Sequence, residues 1–66
     1  MDYRHGGPFD RGGADSWYRR PPSPHYYVGA TYASERIDED EMSLDEISDY
    51  WAGYEDNESQ GTFKEW

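Results

Sequence analysis

Carboxylate side chains are the main chemical groups that this chain offers to a partner. Residues 29–66 contain twelve aspartates and glutamates but only two basic residues, Arg36 and Lys64, so this half has a net charge of −10. Such a surface attracts basic proteins and repels nucleic acid and anionic membranes. We therefore predict a partner-binding surface made of Asp38, Glu39, Asp40, Glu41, Asp45, Glu46, Asp49, Glu55, Asp56 and Trp66.

Three of these carboxylates, Asp45, Asp49 and Asp56, share one face of a predicted helix. Side chains four residues apart on a helix are separated by about 6 Å along its axis, which is similar to the spacing of phosphates along a nucleic-acid strand. The pattern thus predicts a surface that imitates DNA and occupies a basic nucleic-acid-binding groove. It also fits an ordinary solvated helix face, and the sequence leaves both interpretations open.

The N-terminal half offers an alternative site, because it combines arginines with aromatic rings. Residues 1–28 contain four arginines and three aspartates. Arginines and stacked rings bind single-stranded nucleic acid, so the alternative RNA-binding residues are Arg11, Arg19, Arg20, Trp17 and Tyr18. The competing interpretation is that these arginines pair with the chain's own carboxylates, and the net charge of −9 favours it.

Catalytic and metal-binding patterns are weak in this sequence. The chain has no cysteine, and its two histidines, His5 and His25, lie in glycine- or proline-rich segments where we expect no rigid catalytic geometry. Residues 56–61 resemble the start of a calcium loop, but Glu58 and Gln60 stand where that loop has Asp or Asn. We predict a protein that is not an enzyme and that uses no cofactor or metal.

The small number of aliphatic residues limits the stability of the fold. With 66 residues the chain forms at most one small domain, and Val28, Ile37, Leu44 and Ile47 are its full set of valine, isoleucine and leucine residues. Twelve aromatic residues compensate in part, since each ring can bury about 150–250 Å². We expect a domain that is marginally stable alone and is stabilised by a partner or by a second copy of the chain.

The spacing of apolar and turn-forming residues predicts a mainly α fold, a small two-helix domain with a Pro/Tyr-rich connecting segment. The predicted parts of the single domain 1–66 are a flexible arm at 1–8, a short helix at 10–19, the connector at 21–34, an acidic run at 38–41, a helix at 44–57 and a tail at 58–66. The connector is expected to form a short strand, a hairpin or a loop. The predicted core consists of Trp17, Tyr18, Tyr26, Tyr27, Leu44, Ile47, Trp51 and Tyr54.

The second helix has the clearest local signals. Ser43 followed by Glu46 predicts a capping box, and Met42 and Ile47 have the spacing of a hydrophobic staple. Gly53 in the interior of this helix predicts a close contact with another segment. The first helix is expected to begin at an N-cap, Asp10, and to be weak unless it is packed, because two glycines interrupt it.

Three segments resemble a group of small, mostly uncharacterised bacteriophage proteins: residues 10–18 (DRGGADSWY), 22–26 (PSPHY) and 50–57 (YWAGYEDN). In that group an Arg-Gly-x-Ala-Asp-x-x-Tyr segment precedes Pro-His-Tyr, and the chain ends in a Gly-Tyr, acidic, Lys-x-Trp tail. Residues 12–15, 24–26 and 51–53 also resemble ribosome modulation factor, a small two-helix family. That family is basic and this chain is acidic, so the second resemblance implies a two-helix scaffold and no more.

Charge and resemblance together predict a non-catalytic, phage-type effector that binds and inhibits a host or defence protein in the host cytoplasm. No apolar segment is long enough for a signal peptide or a membrane span. One alternative is a ribosome- or RNA-associated module that uses the N-terminal half. A second alternative is a structural or assembly component of a larger complex, held in place by its aromatic residues.

Overall fold

A computed structural model describes residues 6–28 and 35–64 of the chain. Its elements, in order, are helix α1 at Pro8–Trp17, strand β1 at His25–Val28, strand β2 at Glu35–Asp38, a 3₁₀ turn at Glu39–Glu41 and helix α2 at Leu44–Gln60. The two helices pack together, and β1 pairs antiparallel with β2, with Tyr26 opposite Ile37. The fold is mainly helical, as predicted, but it also contains this hairpin, whose second strand lies entirely beyond the predicted connector at 21–34.

Helix α1 begins two residues earlier than predicted, because Pro8 occupies its first position and Gly7 is the N-cap. Proline is favoured there, since the amide at this position has no acceptor within the helix. Asp10, the predicted cap, instead lies in the first turn and accepts a hydrogen bond from the Gly6 amide at 3.0 Å. The Tyr27 amide also donates to the Gly6 carbonyl at 2.8 Å. The predicted arm is therefore wrong at its last three residues, and residues 1–5 lie outside the described part.

The C-terminal end of α1 is a Schellman turn. Arg19 has a left-handed backbone with φ of 58°, its amide donates to the Ser16 carbonyl, and the Arg20 amide donates to the Asp15 carbonyl. The helix therefore ends at Trp17 and not at residue 19. A left-handed backbone costs a non-glycine residue about 1–2 kcal/mol, a cost that the sequence pattern did not reveal.

Helix α2 begins where the sequence predicted. The Ser43 side chain accepts from the Glu46 amide at 3.2 Å, and the Ser43 amide donates to the Glu46 carboxylate at 2.8 Å, so the predicted capping box is confirmed. The helix continues three residues past its predicted end, to Gln60, and stops at Gly61, whose φ of 67° is a conformation that glycine adopts at little cost. The segment that resembles a calcium loop is thus helical up to its final glycine.

The two helices cross where a glycine of each one faces the backbone of the other. A Cβ added at Gly12 would lie 1.9 Å from the Tyr50 carbonyl oxygen, and a Cβ added at Gly53 would lie 2.0 Å from the Phe9 carbonyl oxygen. No side chain fits at such distances, so only glycine allows this approach. The close contact predicted at Gly53 is confirmed.

The predicted core is confirmed at Tyr26 and Ile47, but the buried face of α2 coincides only in part with the predicted one. Tyr50, which is absent from the predicted core, is completely buried. Leu44 is 86% exposed, and Trp17 and Trp51 are 39% and 37% exposed, so these three predicted core residues are wrong. The backbone contact at Gly53 determines which face of α2 is buried. Because glycine has no side chain, the pattern of apolar side chains did not reveal that face. The core consists of Tyr26, Met42 and Tyr50, with Val28, Ile37 and Ile47 packed against it.

The acidic run and the tail are both more ordered than predicted. Asp38 belongs to β2, the next three residues form the 3₁₀ turn, and all four are exposed. The first three residues of the predicted tail belong to α2, and the Lys64 amide donates to the Trp17 carbonyl at 2.8 Å. The tail therefore returns to α1 as far as it is described. Trp66, a predicted partner-binding residue, lies outside the described residues.

Candidate functional site

The predicted acidic residues are placed along α2 and the turn that precedes it. Helix α2 contains no lysine or arginine, and its 17 residues span about 25 Å. Its positions 45, 49 and 56 fall on one side at intervals of four and seven residues. The exposed members of the predicted surface are Asp38, Glu39, Asp40, Glu41, Asp45, Glu55 and Asp56, whereas Glu46 and Asp49 are half-buried. We call these nine residues the acidic surface.

Some of these carboxylates already have a role inside the chain. Glu46 closes the capping box. Asp38 accepts a hydrogen bond from Arg36 Nε at 2.7 Å, and Asp56 accepts one from the Gln60 side chain at 2.9 Å. Because contacts between exposed side chains contribute little free energy, Asp38 and Asp56 can exchange them for a partner's cations. Glu46 is tied to the start of the helix and is a weaker candidate.

Two exposed apolar side chains lie on the same helix as the carboxylates. Leu44 and Trp51 are seven residues apart, which places them on one face two turns from each other, and Glu55 continues that line one turn further. The Trp51 ring packs edge-on against the rings of Tyr50 and Tyr54, each at 5.7 Å between centroids. The tryptophan is therefore held in position while more than a third of it remains exposed.

The arginines of the alternative RNA-binding site contact side chains of the chain itself. Arg11 Nε donates to His25 Nε2 at 3.2 Å. Arg20 pairs with Asp15 at 3.5 Å and places its guanidinium 4.7 Å from the centre of the Tyr18 ring. The ion pair with Asp15 is the kind of contact that the competing interpretation predicts.

The remaining residues of that alternative site lie elsewhere. The Arg19 guanidinium is 5.0 Å from the centre of the Phe63 ring. Trp17 lines a groove between α1 and α2, together with Phe9 and Gly53. Arg11 and Arg19 line different pockets, and Arg20 borders both. Within the pockets formed by the described residues, the arginines and the tryptophan therefore do not line one common groove.

A buried polar cluster, which the sequence analysis did not predict, joins α1, β1 and α2. Asp15 is 3% exposed and accepts a hydrogen bond from the Tyr50 hydroxyl. That hydroxyl accepts a hydrogen bond from the Ser23 amide at 3.0 Å. His25 Nδ1 lies 2.7 Å from the Ser23 carbonyl oxygen and 3.7 Å from the Asp15 carboxylate. The sequence carries no clear signal for this cluster, since the residues one helical turn before Asp15 are Arg11 and Gly12.

The position of His25 corrects the expectation that it lies in a loosely held segment. Its side chain is 4% exposed, and both ring nitrogens have partners. Since Arg11 donates to Nε2, that nitrogen has no proton, and the ring donates through Nδ1 to the Ser23 carbonyl. These two contacts hold the imidazole ring in one orientation.

Tyr50 is held in its protonated form by its surroundings. Burial raises the pKa of the Tyr50 hydroxyl far above its ordinary value of about 10, and the hydrogen bond to Asp15 raises it further. The phenol thus stays a hydrogen-bond donor to the carboxylate at all physiological pH values. This arrangement satisfies a buried charge, because each carboxylate oxygen of Asp15 has a partner, Tyr50 on one side and Arg20 on the other.

The polar cluster forms the floor of an open pocket of about 450 Å³. We call it the basic pocket, because three arginines, Arg11, Arg20 and Arg36, line it with only one carboxylate, that of Asp15. Arg36 reaches it from β2, a strand that the sequence analysis did not assign. The pocket was therefore not predictable from sequence spacing.

Comparison with known proteins adds no family to these observations. No protein family model, curated protein or solved structure matches the chain. Within residues 6–28 and 35–64, no three histidine, aspartate or glutamate side chains are grouped so that they could hold a metal ion. Neither helix of the described part is long and apolar enough to cross a lipid bilayer.

Proposed function

We propose that the protein is a non-catalytic effector whose acidic surface occupies a basic, nucleic-acid-binding surface of a host or defence protein and thereby inhibits it. The observation that carries this proposal is an uninterrupted stretch of negative charge. No lysine or arginine occurs between residues 38 and 63, and seven carboxylates of the acidic surface are exposed there.

The length of α2 supports an extended contact. Carboxylates on one side of a helix of about 25 Å can meet several cations of a groove at once. Opposite charges steer the two surfaces together, so association is fast and falls as salt is added. The partner's groove is then closed to nucleic acid.

The exposed apolar residues supply affinity that charge alone does not. Surface ion pairs contribute about 0–1 kcal/mol each, whereas a well-packed aromatic residue can contribute 2 kcal/mol or more at an interface. Trp51 and Leu44 lie on the same helix as the carboxylates and are exposed to solvent. They are the expected anchors, with the carboxylates forming the polar rim.

The RNA-associated alternative has less support from the contacts. Arg20 pairs with the buried Asp15 carboxylate, and Arg11 donates to His25. Arg11 and Arg19 also line different pockets, so the arginines do not form the one continuous basic groove that a nucleic-acid strand follows. We therefore favour the acidic surface.

The test is capture from a bacterial lysate on the immobilised protein, followed by elution with duplex DNA. Proteins held through a nucleic-acid-binding surface are expected to elute with DNA and with salt of about 0.5 M, where the Debye length falls to about 4 Å. The triple variant Asp45→Asn, Asp49→Asn, Asp56→Asn should lose them, while Glu35→Gln, which removes an exposed charge from β2, should retain them. Retention by the triple variant, or elution by neither DNA nor salt, would refute the proposal.

A further inference from the structure

We propose that the basic pocket binds a small molecule through a phosphate group. The pocket lies between α1, the segment that follows it and the hairpin. Arg11 comes from α1, Arg20 from the turn after α1, and Arg36 from β2. Three separate segments thus bring a guanidinium group to one opening of about 450 Å³.

The concentration of positive charge in this pocket is unusual for such an acidic chain. The protein has six lysines and arginines against fifteen carboxylates, yet three of the six line this pocket with one carboxylate, Asp15. Even when Asp38, which pairs with Arg36, is counted, three positive charges face two negative ones. Like charges in one cleft repel each other and focus a positive potential, which attracts an anion.

The arginines have the geometry that phosphate recognition requires. A guanidinium presents several N–H donors in one plane and matches two oxygens of a phosphate at once. Arg11 lines the pocket, and its contact with His25 uses Nε and neither of the two terminal nitrogens of the guanidinium. The ion pair of Arg20 with Asp15 is 3.5 Å long, beyond the usual hydrogen-bond distance. A phosphate oxygen can therefore be added to these groups without removing a strong internal bond.

The pocket is also organised before any ligand arrives. The Arg11 guanidinium lies 5.3 Å from the centre of the Tyr27 ring, and its Nε is fixed on the buried imidazole of His25. The Arg36 guanidinium donates to Asp38 at 2.7 Å, and this hydrogen bond is the largest of the contacts that raise its pKa above the ordinary value. Side chains that are already held lose less conformational entropy on binding.

This inference is independent of the proposed function. It concerns the opposite sign of charge, and the only residue of the acidic surface that it involves is Asp38, which is not changed in either experiment. A negative result in one experiment therefore leaves the other untouched.

The experiment is a titration of the full chain with inorganic phosphate and with pyrophosphate, at constant ionic strength set by sodium chloride. Calorimetry should give saturable binding to one site. In ¹⁵N spectra, the amide signals of Ser23, His25 and Tyr27 and the arginine Nε signals should shift with the same dissociation constant. Saturation by both probes identifies a single phosphate group as the ligand, and saturation by pyrophosphate alone identifies a diphosphate. Binding of neither probe overturns the proposal.

Three substitutions test the location of the site. Arg36→Gln and Arg20→Gln should each weaken binding about tenfold or more, the effect of losing a hydrogen bond to a charged group. Arg19→Gln removes the same charge outside the pocket and should leave the affinity unchanged. Equal weakening by Arg19→Gln would show non-specific attraction and overturn the assignment. Arg36 lies on the exposed face of β2, so its variant should keep the circular dichroism spectrum of the parent and remain informative even if Arg20→Gln unfolds.

Discussion

The Tyr50 hydroxyl donates a hydrogen bond to the Asp15 carboxylate, and this contact joins α2 to α1 inside the protein. Both side chains are buried. A buried carboxylate without partners is unstable, because no water replaces the hydration that it loses. The interface between the two helices thus places a carboxylate in the interior, where this hydroxyl and Arg20 are its partners.

The first prediction is that Tyr50→Phe destabilises the fold by about 2–3 kcal/mol. The substitution keeps the ring but removes a hydrogen bond to a charged group and leaves a buried acceptor with one partner fewer. It also removes the acceptor of the Ser23 amide. Urea denaturation followed by circular dichroism measures the change. Tyr54→Phe, a half-buried tyrosine on the same helix, is the matched control and should cost less than about 1 kcal/mol. Equal losses in the two variants would contradict the role given to the buried pair.

The second prediction concerns alkaline pH. The pKa of Tyr50 is raised in the folded state by burial and by Asp15, so below about pH 10 the phenol is protonated in both the folded and the unfolded chain. Above about pH 10 the unfolded chain loses this proton and the folded chain does not, so the free energy of unfolding must fall as the pH rises. Urea denaturation at about pH 8 and about pH 11 measures this loss.

Tyr50→Phe is also the control for the pH dependence, because it removes the titrating group. Its stability should fall less between the two pH values than that of the parent. At about pH 11, absorbance at the tyrosinate band should in addition show fewer ionised tyrosines in the folded parent than in the unfolded parent, because Tyr50 keeps its proton in the folded chain. A parent and a variant with the same pH dependence would mean that Tyr50 titrates like an exposed tyrosine.

The third prediction uses the confirmed capping box. Ser43→Ala removes the side-chain acceptor of the Glu46 amide and should cost about 1 kcal/mol. Ser48→Ala, at an exposed position inside the same helix, should be neutral or slightly stabilising, since alanine is the better helix former. Thermal or urea unfolding of the two variants checks the difference. If Ser48→Ala were the more damaging change, α2 would not begin at this cap.

The start of α2 was predictable because its signals are local. Ser43 and Glu46 are three residues apart, and a capping box depends on nothing outside those residues. The start of α1 also has a local signal, which is the proline at the first helical position. It was missed because that proline was interpreted as part of an arm. The end of α1 could not be predicted, because Arg19 takes a left-handed backbone that the sequence disfavours. There the tertiary structure overrides the local preference.

The core and the basic pocket could not be predicted, because both depend on contacts between residues that are far apart in the sequence. The stripe predicted on α2 counted apolar side chains, but the helix is oriented by Gly53, which has none, and by Tyr50, whose hydroxyl reaches Asp15 from 35 positions away. Arg11 and Arg36 meet at one pocket because the hairpin places β2 beside β1. The exposure of the acidic run, in contrast, follows from composition, since adjacent carboxylates are rarely buried.

The final prediction tests the crossing of the two helices. Gly53→Ala and Gly12→Ala each place a methyl group about 2 Å from a backbone oxygen of the other helix, so the helices must separate. We expect the free energy of unfolding to fall by about 3 kcal/mol or more, or the chain not to fold, because a rigid backbone cannot move aside as a side chain can.

Gly13→Ala is the matched control. Its added Cβ would lie 3.6 Å from the Gly53 carbonyl oxygen, an ordinary contact. Since alanine is favoured over glycine in a helix by about 1 kcal/mol, this variant should be as stable as the parent or more so. Urea denaturation of the three variants decides the matter: similar stabilities for Gly12→Ala and Gly13→Ala would mean that α1 does not approach α2 through Gly12.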